Sequence, residues 1–319
     1  MYSGYLTDVE GIKVGHESDF DAMTGCSVVL FDDSATCGID VRGSAPGTRE
    51  TNIFEDKKTI DKVHGILLSG GSAFGLDAAG GVMKYLEEKD IGFDVKVTKV
   101  PIVPAAVIFD LQIGNAFVRP DFKMGYNAAK NASSEENRQG NIGCGTGATV
   151  SKLMGEDYLV KGGLGSASIK LNDLVVSAMV SVNCVGDVYD YKTMKQLTGP
   201  YDRKNKKMYS SVEILKNGYL EDELANRNTT IGIVATNAKL NKAQANKIAE
   251  MSHNGYARSI NPIHTSLDGD TIFACSTNKI EANIDLLGTL ASEVMSMAIT
   301  NAILNSTRYS EIPSYSDIY

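Results

Sequence analysis

Runs of apolar residues, set against the spacing of polar and glycine positions, predict most of the elements of this chain. Ser27-Val-Val-Leu-Phe31 and Gly65-Ile-Leu-Leu68 have the length of strands. Gly70-Gly-Ser-Ala-Phe-Gly75 reads as a tight strand-to-helix turn, opening a helical stretch at 76–89 that ends in charged residues. Residues 94–100 alternate polar and apolar side chains, the mark of a half-buried strand, and an apolar run follows at 105–111. Gly143-Cys-Gly-Thr-Gly147 leads into a short helix-like piece, and Lys161-Gly-Gly-Leu-Gly165 into a strand at 166–170. Residues 174–182 are strongly strand-like.

The texture changes at 191–228, where Lys, Tyr, Glu and Asn dominate around the basic knot Arg203-Lys-Asn-Lys-Lys207. Such a stretch reads as a mobile surface linker, and the knot as a solvated loop. Beyond it come a strand at 229–236 and a helix at 241–256 with a stripe through Ala243, Ile248, Ala249 and Met251. A strand at 270–276 and a long apolar helix at 279–304 complete the pattern. Strands and helices mix without a strict βαβ rhythm, which predicts α+β layers rather than a doubly wound sheet.

Composition adds exclusions. The chain has 319 residues, 31 Lys+Arg against 39 Asp+Glu and a net charge of −8, which argues against a nucleic-acid-binding face. Its length suits one large domain or two small ones. No apolar run is expected to reach the roughly 18–20 residues of a membrane helix, and the N-terminus lacks the basic and apolar regions of a signal peptide. The 5 cysteines are scattered without a C-x-x-C pair, and the 4 histidines have no ligand spacing. Reduced, buried thiols in a cytoplasmic protein are therefore expected, with no metal and no organic cofactor. Glycine stands out, with 31 against 7 prolines, and it clusters as tight turns do.

The glycine loops match no nucleotide fingerprint. A G-x-x-x-x-G-K-[ST] loop is absent, and Gly143-x-Gly-x-Gly147 lacks the acidic residue that a dinucleotide site places downstream. Gly163-Leu-Gly-Ser-Ala-Ser168 resembles the phosphate loop of galactokinase-type kinases, which leaves a small-molecule kinase as a remote alternative. Gly70–Gly75 is not a G-x-S-x-G elbow, although Ser72 is a candidate for approaching a ligand. The sharper feature is Asn228-Thr229, at the junction of linker and strand. A hydroxyl there can attack the preceding carbonyl and cut the chain. The freed α-amine, with a pKa of about 7.7–8.0, then serves as base to its own hydroxyl.

A series of stretches in fixed order carries a family resemblance. They are Gly11-Ile-Lys-Val-Gly-His16, Thr24-Gly-Cys-Ser-Val-Val-Leu30, Gly65 to Leu76, Val103-Pro-Ala-Ala-Val-Ile-Phe-Asp110 and Gly145-Thr-Gly-Ala-Thr149. Lys161-Gly-Gly-Leu-Gly165, Val182-Asn-Cys-Val-Gly-Asp187, Ile233-Val-Ala-Thr-Asn-Ala238 and His264-Thr-Ser-Leu-Asp-Gly-Asp270 complete it. Over nearly its whole length the chain resembles the L-aminopeptidase/D-esterase family of self-cleaving N-terminal-nucleophile hydrolases, nearest to its nylon-oligomer hydrolase branch.

The resemblance implies a four-layer αββα sandwich forming a single hydrolase domain, 1–319. It implies autocleavage at Asn228-Thr229 into 1–228 and 229–319, with Thr230 as the register rival. Thr229 would be the nucleophile, Asp268 and Asp270 would orient it, Asn183 would donate to the oxyanion, and Lys152 would support substrate or base. Phe109 stands where the branch has an active-site tyrosine, and with Ser72 it is a pocket candidate. The expected substrate is a small peptide or amide, and the expected assembly a homo-oligomer, a tetramer by resemblance. A β-aminopeptidase would more typically show serine as nucleophile and Ser-Gly-Asp or Ser-Gly-Glu later. That activity, a D-esterase of the same fold, and an uncleaved binding protein remain alternatives.

Overall fold

The structure, a computed structural model, describes residues 1–218 and 228–319. Its main strands are β1 (Ile12–Asp19), β2 (Thr24–Val41), β3 (Lys62–Ser69), β4 (Ala105–Val107), β5 (Gly163–Leu171), β6 (Leu174–Asn183), β7 (Thr229–Ala238) and β8 (Thr271–Ile280). The main helices are α1 (Ala78–Glu88), α2 (Phe122–Lys130), α3 (Lys242–Ser259) and α4 (Ile284–Leu304). With the short strand Thr48–Arg49, the eight strands form a 9-stranded sheet in the order β5-β6-β7-β8-β2-β3-β4-Thr48–Arg49, and β1 pairs with β2 alongside.

Strand β2 turns this one sheet into two layers. Its first half pairs with β1 and β3, its ladder with β3 shifts register between Leu30 and Ala35, and its second half pairs with β8. The charged Asp32 and Asp33 lie exposed at that shift. Strand alternation then builds three apolar layers. Val29, Ile66, Ile231, Ile233 and Phe273 meet between the two sheet layers. On one outer face Val176, Val180, Val234 and Ile272 pack under α3 and α4. On the other, Val28, Leu67, Val82 and Leu86 pack with α1 and α2. This is the αββα sandwich that the resemblance implies. A Cβ at Gly165 would lie 2.0 Å from the Ala298 carbonyl oxygen, so the bare glycine lets α4 close on β5.

Several expectations are corrected. The half-buried strand at 94–100 is an exposed hairpin of Phe93–Asp94 and Lys99–Val100, with Val97 left 91% exposed; its alternation has no layer to face. The helix at 279–304 starts only at Ile284, because β8 runs to Ile280 and Asn283 caps the N–H groups of Asp285 and Leu286. That helix, 21 residues long, is by length and apolarity sufficient to cross a membrane, contrary to the expectation for this chain, but most of it is buried in the core. The stripe of α3 runs through Ala245, Ile248 and Ala249, with Ala243 exposed. Gly163–Ser168 lies inside β5 and pairs with β6, which leaves no phosphate loop. Strands β1 and the far half of β2 escaped the pattern, the latter because Asp32 and Asp33 mimic a strand end.

The stretch at 191–228 carries more structure than its composition suggests. It contains Gln196–Thr198, a Tyr201–Asp202/Lys207–Met208 hairpin and the helix Ser211–Lys216, whose Ile214 and Leu215 pack on Leu153 and Val185. Residues 219–227 lie outside the described residues. The inter-sheet layer should dominate stability: Phe273→Ala is expected to cost about 3–5 kcal/mol in denaturant unfolding, as large-to-small changes in close-packed cores do.

Candidate functional site

Strand β7 begins at Thr229 and is hydrogen-bonded on both edges. Its antiparallel ladder with β6 sets Asn183 opposite Thr229, and its parallel ladder with β8 sets Ile231 opposite Thr271. One residue before the strand, Asn228 forms an isolated parallel bridge with Asp268. Asn183, Asn228, Thr229, Asp268 and Asp270 are thus gathered at one end of the central strands, and all five are buried.

The Asn228 carbonyl is the focus of this cluster. It accepts hydrogen bonds from the Thr229 hydroxyl and, at 3.1 Å, from the Gly269 N–H. A Cβ at Gly269 would stand 2.6 Å from the Ala45 carbonyl oxygen and 2.9 Å from Thr229 Oγ1, so the turn needs glycine to seat the hydroxyl. The backbone of 42–45 brackets the turn: Arg42 N–H donates to the Asp270 carbonyl at 3.0 Å and Ala45 N–H to that of Asp268 at 2.9 Å. Thr230, the register rival, is engaged differently. Its N–H donates to Asp270 Oδ1 at 2.8 Å, and its buried hydroxyl has no partner among the described residues.

The two aspartates are held unequally. Asp270 Oδ2 accepts from the His264 N–H at 3.2 Å and contacts His264 Nδ1 at 2.9 Å. Asp268 Oδ2 accepts from both the N–H and the hydroxyl of Thr265, at 2.8 and 2.6 Å. Asp268 Oδ1 is buried without a hydrogen-bond partner among the described residues. Burial, then the neighbouring Asp270, push the Asp268 carboxyl up to about 6, against the lowering effect of Thr265 and Lys152.

Asn183 is fixed from three sides. Its Oδ1 accepts from Lys152 Nζ at 2.8 Å and from the Thr149 N–H at 3.0 Å, while its Nδ2 donates to the Phe109 carbonyl at 3.0 Å. Lys152 is buried and also donates to the Asn183 carbonyl at 3.2 Å, so it is no solvated surface lysine. Phe109 enters through its backbone, which a tyrosine would present equally. Ser72 sits beside this arrangement, in the left-handed region at φ 52°, with its N–H on the Ile108 carbonyl at 3.0 Å. The turn is tied down by Asp110, which accepts from Gly71 N–H at 2.7 Å and Thr24 Oγ1 at 2.8 Å.

Sequence reasoning missed three contributors: the Gly269 N–H, Thr265 and His264. A threonine three residues ahead of an aspartate is a local hydrogen-bonding spacing that could have flagged Thr265; nothing in the sequence marks a backbone N–H. Among the described residues no group of three or more His, Cys, Asp or Glu is placed to hold a metal ion.

Comparison with known proteins gives the family and the fold. The sequence model of peptidase family S58 matches residues 4–312. An uncharacterised aminopeptidase of Mycobacterium leprae is 37% identical, with 98% of this chain and 94% of that protein aligned. A 6-aminohexanoate-oligomer endohydrolase of Kocuria sp. is 30% identical over 92% of this chain and 84% of its own length. Two solved structures share the fold. The L-aminopeptidase D-Ala-esterase/amidase of Ochrobactrum anthropi, described as a variant of the Ntn hydrolase fold, superposes with a TM-score of 0.73 over 96% of this chain and 88% of that one, at 16% identity. A β-aminopeptidase of Burkholderia sp. gives 0.70 over 100% and 93%, at 17%.

The packing around Gly269 makes its own prediction. Gly269→Ala must displace either the Ala45 carbonyl or the Thr229 hydroxyl, and thermal or denaturant unfolding should show a loss of about 1–3 kcal/mol, the usual cost of overpacking.

Proposed function

The chain belongs to peptidase family S58, and from that premise we propose that it is an autoprocessing amide hydrolase whose nucleophile, Thr229, is freed by cleavage of the Asn228–Thr229 bond. One observation carries this reading: the Thr229 hydroxyl lies on the Asn228 carbonyl, which the Gly269 N–H already polarises.

In the first reaction Thr229 Oγ1 attacks the Asn228 carbonyl carbon, and Asp268 Oδ1, which has no partner among the described residues, accepts the hydroxyl proton. Negative charge grows on the carbonyl oxygen, where the Gly269 N–H meets it. Collapse expels the Thr229 nitrogen, which takes that proton back from Asp268 and leaves as the free amine, and the acyl group passes to the hydroxyl as an ester. Water then splits the ester, leaving a carboxylate on Asn228 and a free α-amine on Thr229. With its pKa near about 7.7–8.0, that amine is the base for later turnovers.

In those turnovers Thr229 Oγ1 attacks a substrate amide, the amine relays the proton to the leaving nitrogen, and water releases the acyl group. Lys152 and Thr149 occupy Asn183 Oδ1, and the Asn183 amide gives one N–H to the Phe109 carbonyl, so its other N–H can serve the oxyanion. Asp268 and Asp270 hold the hydroxyl and amine in line. Small peptides, β-peptides, amino-acid amides and ω-amino-acid oligomers are the substrate class this site suits. A nucleophile that is its own base needs no histidine, metal or organic cofactor.

Purified protein should resolve by intact mass into 1–228 and 229–319, while Thr229→Ala stays at 34.2 kDa and hydrolyses no amide. A stable whole wild-type chain, or an active Thr229→Ala, would refute the reading. The pH dependence follows from Asp268. Its carboxyl titrates above the ordinary aspartate value, near 6, and only its ionised form accepts a proton. Below about pH 6 the self-cleavage rate should fall about tenfold per unit, as followed by gel after a pH jump.

A further inference from the structure

Two consecutive residues, His264 and Thr265, contact both aspartates of the site, each from its backbone and its side chain. Thr265 puts its N–H and hydroxyl on Asp268 Oδ2, at 2.8 and 2.6 Å. His264 puts its N–H at 3.2 Å and Nδ1 at 2.9 Å on Asp270 Oδ2. The consequence is a division of oxygen atoms. Both contacts fall on Oδ2, which leaves Asp268 Oδ1 without a partner among the described residues and Asp270 Oδ1 for the Thr230 N–H at 2.8 Å.

The surroundings make this division rigid. His264 sits at φ 58°, a strained position for a side-chain-bearing residue. Its ring packs edge-on against His253 at 4.8 Å and is stacked on Tyr256 at 6.1 Å. His253 is itself held by the Asp40 carbonyl at 3.1 Å. The other ring nitrogen of His264, Nε2, is buried with no partner among the described residues. The polar contact of the ring is therefore with Asp270.

We propose that His264 and Thr265 form a two-residue clamp that positions the catalytic aspartates, Thr265 occupying Oδ2 of Asp268 so that Oδ1 is left for the Thr229 hydroxyl, and His264 holding Asp270 against the start of β7. Both are positioning residues that act through the aspartates. The inference rests on the reading of Thr229 as the nucleophile. Among the described residues the charged groups that face Asp268 are Asp270 across the turn and Lys152 from the 3-10 turn at Lys152–Met154, with the Cys184 thiol nearby; His264 faces it through Asp270. Removing the Thr265 hydroxyl takes away one donor that favours the ionised Asp268 and leaves these groups in place.

Four variants of the full chain test the clamp, with intact mass for self-cleavage, an amino-acid p-nitroanilide for turnover and thermal melting for the fold. Thr265→Val should cut at least about tenfold more slowly than wild type, a loss in the range that misplaced acid–base groups give. Its acid limb should move to higher pH, and its kcat should fall with KM little changed. Thr265→Ser, which keeps the hydroxyl, should return to within about threefold. His264→Phe keeps the ring packing and loses the donor, and should slow both reactions; His264→Asn, whose amide reaches the Nδ1 position, should recover most of the rate. A Thr265→Val chain with the wild-type rate and acid limb overturns the clamp. So do Phe and Asn variants at position 264 that are equally slow at unchanged melting temperature. If the wild-type chain itself never splits, the reading of Thr229 fails instead; if it splits and Thr265→Val splits as fast, only the clamp fails.

Discussion

The site depends on the position of β7 within the sheet. Its parallel partner β8 starts from the same end, so the residues just before Thr271 fall beside those just before Ile231. Its antiparallel partner β6 finishes there, which delivers Asn183. Were β8 antiparallel to β7, Asp268 and Asp270 would lie a whole strand away, on the order of 30 Å for ten residues at about 3.3 Å each. One parallel and one antiparallel edge around a single strand thus bring a hydroxyl, two carboxylates and an amide to one point. The Asn228–Asp268 bridge and the Gly269 N–H extend the ladder one residue past the strand, to the Asn228–Thr229 bond.

Burial around that point has to be reconciled with charge. Asp268, Asp270, Lys152 and, a little further off, Asp110 and Lys161 are all buried. The structure meets this with dense local donors rather than close ion pairs among them. Lys161 gives its ammonium to the carbonyls of Thr146 and Ala148, at 3.0 and 2.6 Å, and burial draws it down to about 7. Those carbonyls belong to the loop whose next residue, Thr149, holds Asn183. Asp110, raised by burial, is spanned by Gly71 and Thr24. Lys161 and Asp110 therefore each fix a piece of backbone beside the site.

The sequence shows this unevenly. The strand at 229, the paired aspartates and the small residues that allow close approach are periodic or motif-bound, and they are visible. The αββα layering comes from the resemblance. Alternation in β7 and β8 says that two faces are buried but not that a bent β2 folds one sheet over another. Asp32 and Asp33 conceal the continuation of β2, and 94–100 shows the opposite error, alternation with no layer to fill. Lys152 illustrates why side-chain roles are harder: a lysine in a polar stretch reads as surface until tertiary contacts bury it against Asn183. Donors such as the Gly269 N–H leave no trace in residue identity.

The strand order has one more consequence. In the sequence β5-β6-β7-β8-β2, the two strands after residue 228 lie between strands that precede it. A chain cut ahead of Thr229 would yield two polypeptides interlocked like fingers of two hands, parted only by opening backbone ladders on both flanks at once. Neither piece could assemble this sheet alone, since each lacks the other's neighbours. For a chain cut at that bond, topology would force the order of events: it would have to fold as one before it could persist as two.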